Sequence, residues 1–342
     1  MKSFDRIYFE ISGVCNGKCP YCLSGRYKKP GRKFVDSQHF EKTLDYITTN
    51  RLLSENGVIG LYNWGEPFLH PQLPDLLRIL NERDFSYGFS TNASRVPAID
   101  RAFVRNLKFI LFSMPGFSQR AYDRIHGFEF DLILQNIQSI IRRSRDAGFN
   151  GDFTILYHVY QFNLDEIFLC EEFADQWNIR FSPNYAILNN WWHVNALLDN
   201  TLDYELLRTI SEDLFSFDFR ETITSAPRVD SCPQYNWLAI DESCNLLLCC
   251  QVPPGEEFSC GNLLKDDLSS MLHHRQNNLI CRECIRKGLS HYFHQAIRTP
   301  EFYLKATNRR YANKAIQKFA KLKEAIGRRA QDLRHRGATR GR

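Results

Sequence analysis

Short apolar runs alternate with amphipathic segments from residue 6 to about residue 184. This alternation is typical of β-α units arranged around a parallel sheet. It predicts strands at residues 7–11, 58–62, 86–90, 109–112, 153–160 and 179–181. It predicts helices between them at residues 37–49, 73–82, 98–106, 132–147 and 164–176. Because barrels of such units place their chemistry at the carboxyl ends of the strands, functional residues are expected in the loops that follow each strand.

The pattern changes after residue 184, and the chain is predicted to have four parts. Residues 1–184 form the β-α part, and residues 185–228 form a helical insertion or linker with a Trp-Trp-His cluster at 191–193. Residues 229–295 form a small cysteine-rich domain, and residues 296–342 form a basic amphipathic tail. The expected fold class is therefore α/β with a small C-terminal domain.

The composition is that of an ordinary globular protein, with 43% hydrophobic and 24% charged residues in 342. It excludes a largely disordered or fibrous chain. The first residues lack the charged and then apolar run of a secretory signal, and no stretch of about 18 uncharged apolar residues occurs. A cytoplasmic protein without a transmembrane segment is therefore expected. Because cytosolic thiols are kept reduced, the 11 cysteines favour metal or cluster ligation over disulfides.

The positive charge is concentrated at the C-terminus. Residues 301–342 hold 13 Lys and Arg against 3 Asp and Glu, whereas the net charge of the whole chain is only +5. Apolar residues recur at helical spacing between Tyr311 and Ile326, with lysines at intervening positions, which predicts an amphipathic helix. Two interpretations stay open: a helix packed on the body with a solvated charged face, or a contact with an anionic partner, membrane surface or RNA.

Three cysteines follow the first predicted strand at close spacing. Cys15, Cys19 and Cys22 lie in the segment Cys-Asn-Gly-Lys-Cys-Pro-Tyr-Cys. A structural zinc site uses four protein ligands, whereas a 4Fe-4S cluster held by three thiolates keeps one iron open for an exogenous ligand. The spacing therefore predicts a cluster site rather than three unreactive buried thiols.

The segment resembles the cluster loop of the radical SAM superfamily, including an aromatic residue, Tyr21, before the third cysteine. The resemblance implies a partial (β/α)6 TIM-like barrel with a 4Fe-4S cluster on Cys15, Cys19 and Cys22. It also implies that S-adenosylmethionine (SAM) binds at the open iron. In that family an electron from the cluster cleaves SAM, and the resulting 5′-deoxyadenosyl radical abstracts a substrate hydrogen.

Later loops resemble the SAM-binding elements of the same family. The segment Asn-Trp-Gly-Glu-Pro at 63–67 is similar to the Gly-Gly-Glu-Pro element that binds the SAM ammonium group, although Asn63 and Trp64 depart from the usual glycine there. Residues 90–93 resemble a Ser-Thr-Asn segment, and Ser113 ends a predicted strand where a ribose contact is common. The SAM contacts implied by the resemblance are Tyr21, Asn63, Gly65, Glu66, Pro67, Ser90, Asn92 and Ser113.

A second group of cysteines lies between residues 232 and 284. Its layout resembles the twitch or shortened SPASM region of radical SAM enzymes: a lone cysteine, another after a hairpin-like segment, and a Cys-x-x-Cys pair. The resemblance implies an auxiliary 4Fe-4S cluster on Cys232, Cys249, Cys281 and Cys284. Cys250 is the alternative second ligand, and Cys244 replaces a usual glycine. A structural zinc site, which thiols at these spacings would also suit, stays open.

The resemblance implies a radical SAM oxidoreductase that dehydrogenates a small hydroxyl-bearing molecule with help from the auxiliary cluster. The nearest alternative is a SPASM-type peptide or protein maturase, and the alternative from another class is a non-enzymatic zinc-binding RNA or membrane adaptor. An electron donor such as flavodoxin or ferredoxin is the expected partner. His126, His158 and His193 are candidate substrate contacts, although a histidine without a known partner is more often structural.

Overall fold

The computed structural model describes residues 3–26, 32–215, 231–295 and 299–307. The chain divides into two compact units, residues 1–298 and 299–342. In the second unit, residues 301–307 are helical. The amphipathic helix predicted at 311–326 and the rest of the basic tail lie outside the described residues. Among the residues that are described, no helix is both long and apolar enough to cross a membrane.

One mixed sheet organises the first unit. Its strands are β1 (Phe4–Phe9), β2 (Leu53–Gly60), β3 (Tyr87–Thr91), β4 (Leu107–Met114), β5 (Asp152–Val159), β6 (Arg180–Tyr185), β7 (Trp237–Ile240), β8 (Asn245–Leu247) and β9 (Ser259–Asn262). Their order across the sheet is β6-β5-β4-β3-β2-β1-β7-β8-β9. Neighbours from β6 through β7 are parallel, and β7, β8 and β9 are antiparallel. The α/β prediction with a parallel sheet is confirmed, and the sheet is open between β6 and β9.

Helices connect these strands. They are α1 (Leu23–Arg26), α2 (Ser37–Thr49), α3 (Leu73–Glu82), α4 (Arg101–Val104), α5 (Gln119–Arg124), α6 (Phe130–Asp146), α7 (Ile167–Gln176), α8 (Trp191–Leu198), α9 (Tyr204–Asp213), α10 (Leu268–Asn277), α11 (Leu279–Arg286) and α12 (Leu289–Gln295). Short 3₁₀ turns occur at Pro67–Leu69, Leu164–Glu166, Pro233–Asn236 and Glu256–Phe258.

The core lies between the sheet and the helices that cover it. Along β1, Ile7 and Phe9 are fully buried, and the Phe9 ring packs 5.0 Å from that of Phe40 on α2. On β4 the buried residues alternate with partly exposed ones, so each strand has a face toward the helices and an opposite, more open face. Polar residues on that open face can therefore contact a ligand.

The predicted elements are present, with shifted ends that have local causes. Helices α2 and α3 coincide with the predicted ranges 37–49 and 73–82. The helix predicted at 98–106 is reduced to Arg101–Val104, because the Asp100 side chain accepts a hydrogen bond from Phe103 N and caps the helix there. Strand β6 continues to Tyr185 because it pairs with β5 up to Val159.

The cysteine-rich segment continues the same sheet. Strand β7 pairs in parallel with β1, with Ile7 beside Leu238 and Phe9 beside Ile240. This contact brings the second group of cysteines beside the strand that leads into the first group. The part boundaries proposed at residues 184, 228 and 295 stay predictions.

Candidate functional site

The loop after β1 carries the first three cysteines. Cys22 N donates to Cys19 O at 3.2 Å, which closes the turn, and α1 begins at the next residue. All three thiols are partly buried. Burial raises their pKa values, that of Cys15 to about 12. Because burial penalises a free thiolate, ionised sulfurs in this loop need a bound cation or cluster to stabilise them.

The loop leaves room for a group between its sulfurs. A Cβ placed on Gly17 would stand 3.5 Å from Cys19 Sγ and 3.6 Å from Cys15 Sγ. Both sulfurs therefore lie close to a residue that has no side chain. With Cys22 in the same turn, the loop offers three thiols, the number that holds a 4Fe-4S cluster with one open iron. Across the described ranges, no three His, Cys, Asp or Glu side chains lie together as ligands of a single metal ion.

Neighbouring loops hold the cysteine loop in place. Lys18 N donates to His126 O at 3.0 Å, and the Phe128 ring lies 4.0 Å from the position of a Gly17 Cβ. From the loop after β3, Asn92 Nδ2 lies 3.8 Å from Cys15 Sγ and 3.2 Å from Asn16 Oδ1. Two strand-end loops thus converge on the cysteines, as expected for chemistry at the carboxyl ends of parallel strands.

The Gly-Glu-Pro loop, residues 63–67, packs directly against the cysteine loop. Glu66 N donates to Val14 O at 2.9 Å. A Cβ on Gly65 would overlap the carbonyl oxygen of Ser12, so only glycine permits this approach. Asn63 Nδ2 is buried without a hydrogen-bond partner among the described residues. The loop therefore holds a spare donor next to the cysteines, which fits a polar ligand there.

Both carboxylate oxygens of Glu66 accept hydrogen bonds from other residues of the protein. Its Oε1 accepts from Phe68 N at 3.1 Å and from Thr91 Oγ1 at 2.7 Å, and its Oε2 accepts from Asn92 N at 2.7 Å. Burial raises the pKa of this carboxyl to about 7. Glu66 thus joins the loops after β2 and β3. The resemblance implied only a contact between Glu66 and SAM, and its role in connecting the two loops carried no signal in the sequence.

Ser113 and His158 form a polar pair on the open face of the sheet. Ser113 Oγ and His158 Nε2 are 3.1 Å apart on the neighbouring strands β4 and β5, and both residues are partly exposed. Burial of the ring lowers the pKa of His158 to about 4, so the imidazole is neutral at neutral pH. Ser90, also expected near SAM, lies on β3 beside Leu111 of β4. The neutral pair offers both a donor and an acceptor to a hydroxyl group.

Tyr21 anchors the cysteine loop to the insertion. Its hydroxyl donates to the carboxylate of Asp213, the last residue of α9, and lies 3.1 Å from Thr209 O on the same helix. Arg124 forms an ion pair with the same carboxylate, which is 1% exposed. The ring also stacks on Tyr160, with ring centroids 6.3 Å apart. The sequence carried no local signal for Asp213, which lies 192 residues from its partner.

Removing the Tyr21 hydroxyl should destabilise the fold. Tyr21→Phe leaves the buried Asp213 carboxylate short of one donor, and we expect the free energy of unfolding to fall by about 1–3 kcal/mol. Denaturant titration followed by circular dichroism measures the change. Tyr204→Phe is the matched control, because Tyr204 is 74% exposed. Equal unfolding free energies for both variants and the unmodified protein would show that the anchor contributes nothing.

Four cysteines of the second group line one apolar cavity. Cys232, Cys249, Cys281 and Cys284 all line it, together with Trp191, Gln234, Tyr235, Leu248, Val252 and Ile280. Burial raises the pKa values of all four thiols. The four partly buried thiols do not lie together as ligands of a single metal ion. Because they line one apolar cavity, they are candidates for the four thiolates of a larger cluster.

Two nearby cysteines have other contacts. Cys250 Sγ donates to Gln234 Oε1 at 3.1 Å. Cys244 occupies the turn after β7 with φ of 65°, the left-handed region that favours glycine, which is the residue that the resemblance implies at this position. Cys170 is fully buried on α7, so its side chain packs in the core.

A model of the Radical SAM superfamily matches residues 9–168. Among curated proteins, GTP 3′,8-cyclase of Chlorobaculum tepidum is 28% identical over 82 residues, which are 23% of this chain and 22% of that protein. The match therefore spans less than a quarter of the length of that relative.

Solved structures share the architecture over most of the chain. The structure of anSMEcpe with bound AdoMet is 12% identical, covers 82% of each chain and has a TM-score of 0.55. SuiB of Streptococcus suis bound to precursor peptide SuiA is 16% identical, covers 82% of this chain and 66% of that one, and has a TM-score of 0.51. At these identities the similarity is one of fold.

Proposed function

We propose that this chain, whose residues 9–168 match the Radical SAM superfamily, reductively cleaves SAM and oxidises a small hydroxyl-bearing molecule. Cys15, Cys19 and Cys22 hold the cluster that binds SAM. Cys232, Cys249, Cys281 and Cys284 hold an auxiliary 4Fe-4S cluster. When bound, the two clusters supply the electron that cleaves SAM and an acceptor for the electron that the substrate loses.

The observation that carries the proposal is the cavity with four cysteines. Hydrogen abstraction leaves a substrate with one unpaired electron, and dehydrogenation then requires one electron and one proton to leave, the proton being released to solvent. A site for an electron acceptor in the same compact unit as the SAM site supports an oxidative outcome. The pairing of β7 with β1 places both cysteine groups on elements of a single sheet.

The residues of the open face support a hydroxyl-bearing substrate. The Ser113 and His158 pair is neutral, so it offers hydrogen bonds without requiring a charged ligand. Aromatic rings lie beside this face: the Tyr8 and Tyr62 centroids are 5.7 Å apart, and the Tyr62 centroid is 6.5 Å from that of Phe109 on β4. Rings and a neutral polar pair together suit a molecule with hydroxyl groups on a carbon frame, and they exclude water from the reacting carbon.

A peptide substrate is the second candidate. The observation that favours it is the similarity of fold to SuiB, which binds the precursor peptide SuiA. The neutral pair and the neighbouring rings would then contact a side chain of the peptide rather than a free polyol.

Product analysis separates the two candidates. The reconstituted protein is incubated without oxygen with SAM, a chemical reductant and either cyclic polyols and aminocyclitols or candidate peptides, and mass spectrometry identifies the products. We expect a polyol or aminocyclitol product lighter by two hydrogens, formed together with 5′-deoxyadenosine. A modified peptide with no change in any polyol would contradict the small-molecule proposal. Replacing the chemical reductant by flavodoxin or ferredoxin tests the proposed electron donors.

A further inference from the structure

A buried charged chain connects β1 to the turn after β7. Glu10, at the end of β1, is 0% exposed, and its Oε2 lies 2.7 Å from Arg32 Nη2. Arg32 Nε donates to Glu242 Oε1 at 2.7 Å, and Arg32 Nη2 donates to Glu242 Oε2 at 3.1 Å. Gly13 allows the pair to pack against the backbone, since a Cβ there would overlap Glu242 and Arg32. This network is specific in geometry because the Arg32 guanidinium bridges two carboxylates.

The other oxygen of Glu10 holds the Gly-Glu-Pro loop. Glu10 Oε1 accepts from Trp64 N at 2.7 Å and from Gly65 N at 2.6 Å. These two amides belong to the segment that the resemblance assigns to the SAM ammonium group. A single carboxylate therefore connects the loop to Arg32 and, through Arg32, to Glu242.

A second bridge reaches the loop from the same C-terminal region. The indole nitrogen of Trp64 donates to Val252 O at 3.0 Å. Trp64 is 6% exposed, and Val252 lines the cavity of the four cysteines. Trp64 is also one of the two residues that depart from the usual glycine in this segment. The tryptophan that replaces the usual glycine thus makes a hydrogen bond to the backbone at the second cysteine site.

We infer that Glu10 and Trp64 are positioning residues for SAM and that the C-terminal region sets the SAM-binding loop through Glu242 and Val252. This inference rests on the proposed function, because it assigns the Gly-Glu-Pro loop to SAM. The inference predicts coupling between the two cysteine sites. Contacts from the region that carries the second site set the affinity for SAM at the first site. Such coupling is a free energy that binding measurements report directly.

Two substitutions remove the bridges one at a time without touching the proposed cluster ligands. Glu242→Gln removes one charge from the pair with Arg32, and we expect the Kd for SAM to rise about tenfold, because hydrogen bonds to charged groups are among the stronger ones. Trp64→Phe keeps an aromatic ring but loses the indole donor, and we expect a rise of about threefold. Glu82→Gln and Trp192→Phe are the matched controls, since Glu82 pairs with Arg78 at the surface and Trp192 is 50% exposed.

The measurement is equilibrium binding of SAM to the reconstituted protein in the absence of substrate, with iron content and thermal unfolding recorded for every variant. The cluster spectrum in electron paramagnetic resonance, with and without SAM, is an independent readout. We expect weaker SAM binding and a smaller SAM-induced spectral change in both variants, at unchanged iron content. The KM for SAM should rise more than kcat falls.

The outcomes separate the inference from the function. Unmodified protein that binds SAM while both variants bind it equally well would overturn the inference and leave the function standing. Weaker binding that is fully accounted for by lost iron or lost fold would also overturn it. Unmodified protein with a reconstituted cluster that binds no SAM would overturn both.

Discussion

Replacing Cys19 by alanine should abolish reductive cleavage of SAM. The residue lies between Cys15 and Cys22 in the loop, and its sulfur converges with that of Cys15 on Gly17. A cluster with two remaining thiolates loses one of three protein ligands, and two irons then lack a protein ligand instead of one. We expect iron content to fall from about eight to about four per chain. No 5′-deoxyadenosine should form, as measured by chromatography after anaerobic incubation with SAM and dithionite.

Cys170→Ala is the matched control for this prediction. Cys170 is a buried cysteine on α7, outside both cysteine groups. Its substitution should lower stability slightly by loss of packing and leave iron content and SAM cleavage unchanged. Normal 5′-deoxyadenosine production by the Cys19 variant would contradict the assignment of the first cysteine loop to SAM cleavage.

Replacing Cys281 by alanine should separate SAM cleavage from substrate oxidation. Cys281 lines the second cavity together with Cys232, Cys249 and Cys284. Loss of this ligand should again leave about four irons per chain, now those of the first site. We expect 5′-deoxyadenosine formation to continue, whereas the oxidised product disappears because the substrate radical no longer has an electron acceptor.

Cys250→Ala distinguishes the two neighbouring candidates for the second ligand. Cys250 donates to Gln234, whereas Cys249 lines the cavity, so the Cys250 variant should keep about eight irons and form oxidised product. Zinc in place of iron at both sites would favour the non-enzymatic adaptor. A Cys281 variant that retains both clusters would exclude Cys281 as a ligand.

Some features of the site follow from neighbours in sequence. The spacing of Cys15, Cys19 and Cys22 limits how far apart their sulfurs lie, because few backbone dihedrals separate them. The hydrophobic alternation identified the strands, and the polar residues after them marked the loops that converge. These features depend on local or periodic interactions, so they can be recognised in a single sequence.

Other features depend on contacts between distant segments. Tyr21 was identified from its place before Cys22, but its partner Asp213 lies in the insertion. Glu66 was expected near SAM, and its hydrogen bonds to Thr91 and Asn92 depend on the pairing of β2 and β3. Neither partner carries a motif, because a carboxylate or a backbone amide can be supplied by many positions of a chain.

The sequence by itself determined the close spacing of the first three cysteines, the parallel α/β order and the presence of a second cysteine group, since short spacings and periodic burial are properties of consecutive residues. The tertiary structure decided that four distant cysteines surround one cavity and that Glu242, 210 residues from Arg32, reaches the loop beside the first cysteines. The pairing of β7 with β1 is the physical reason, because it carries the C-terminal residues to the carboxyl end of the first strand.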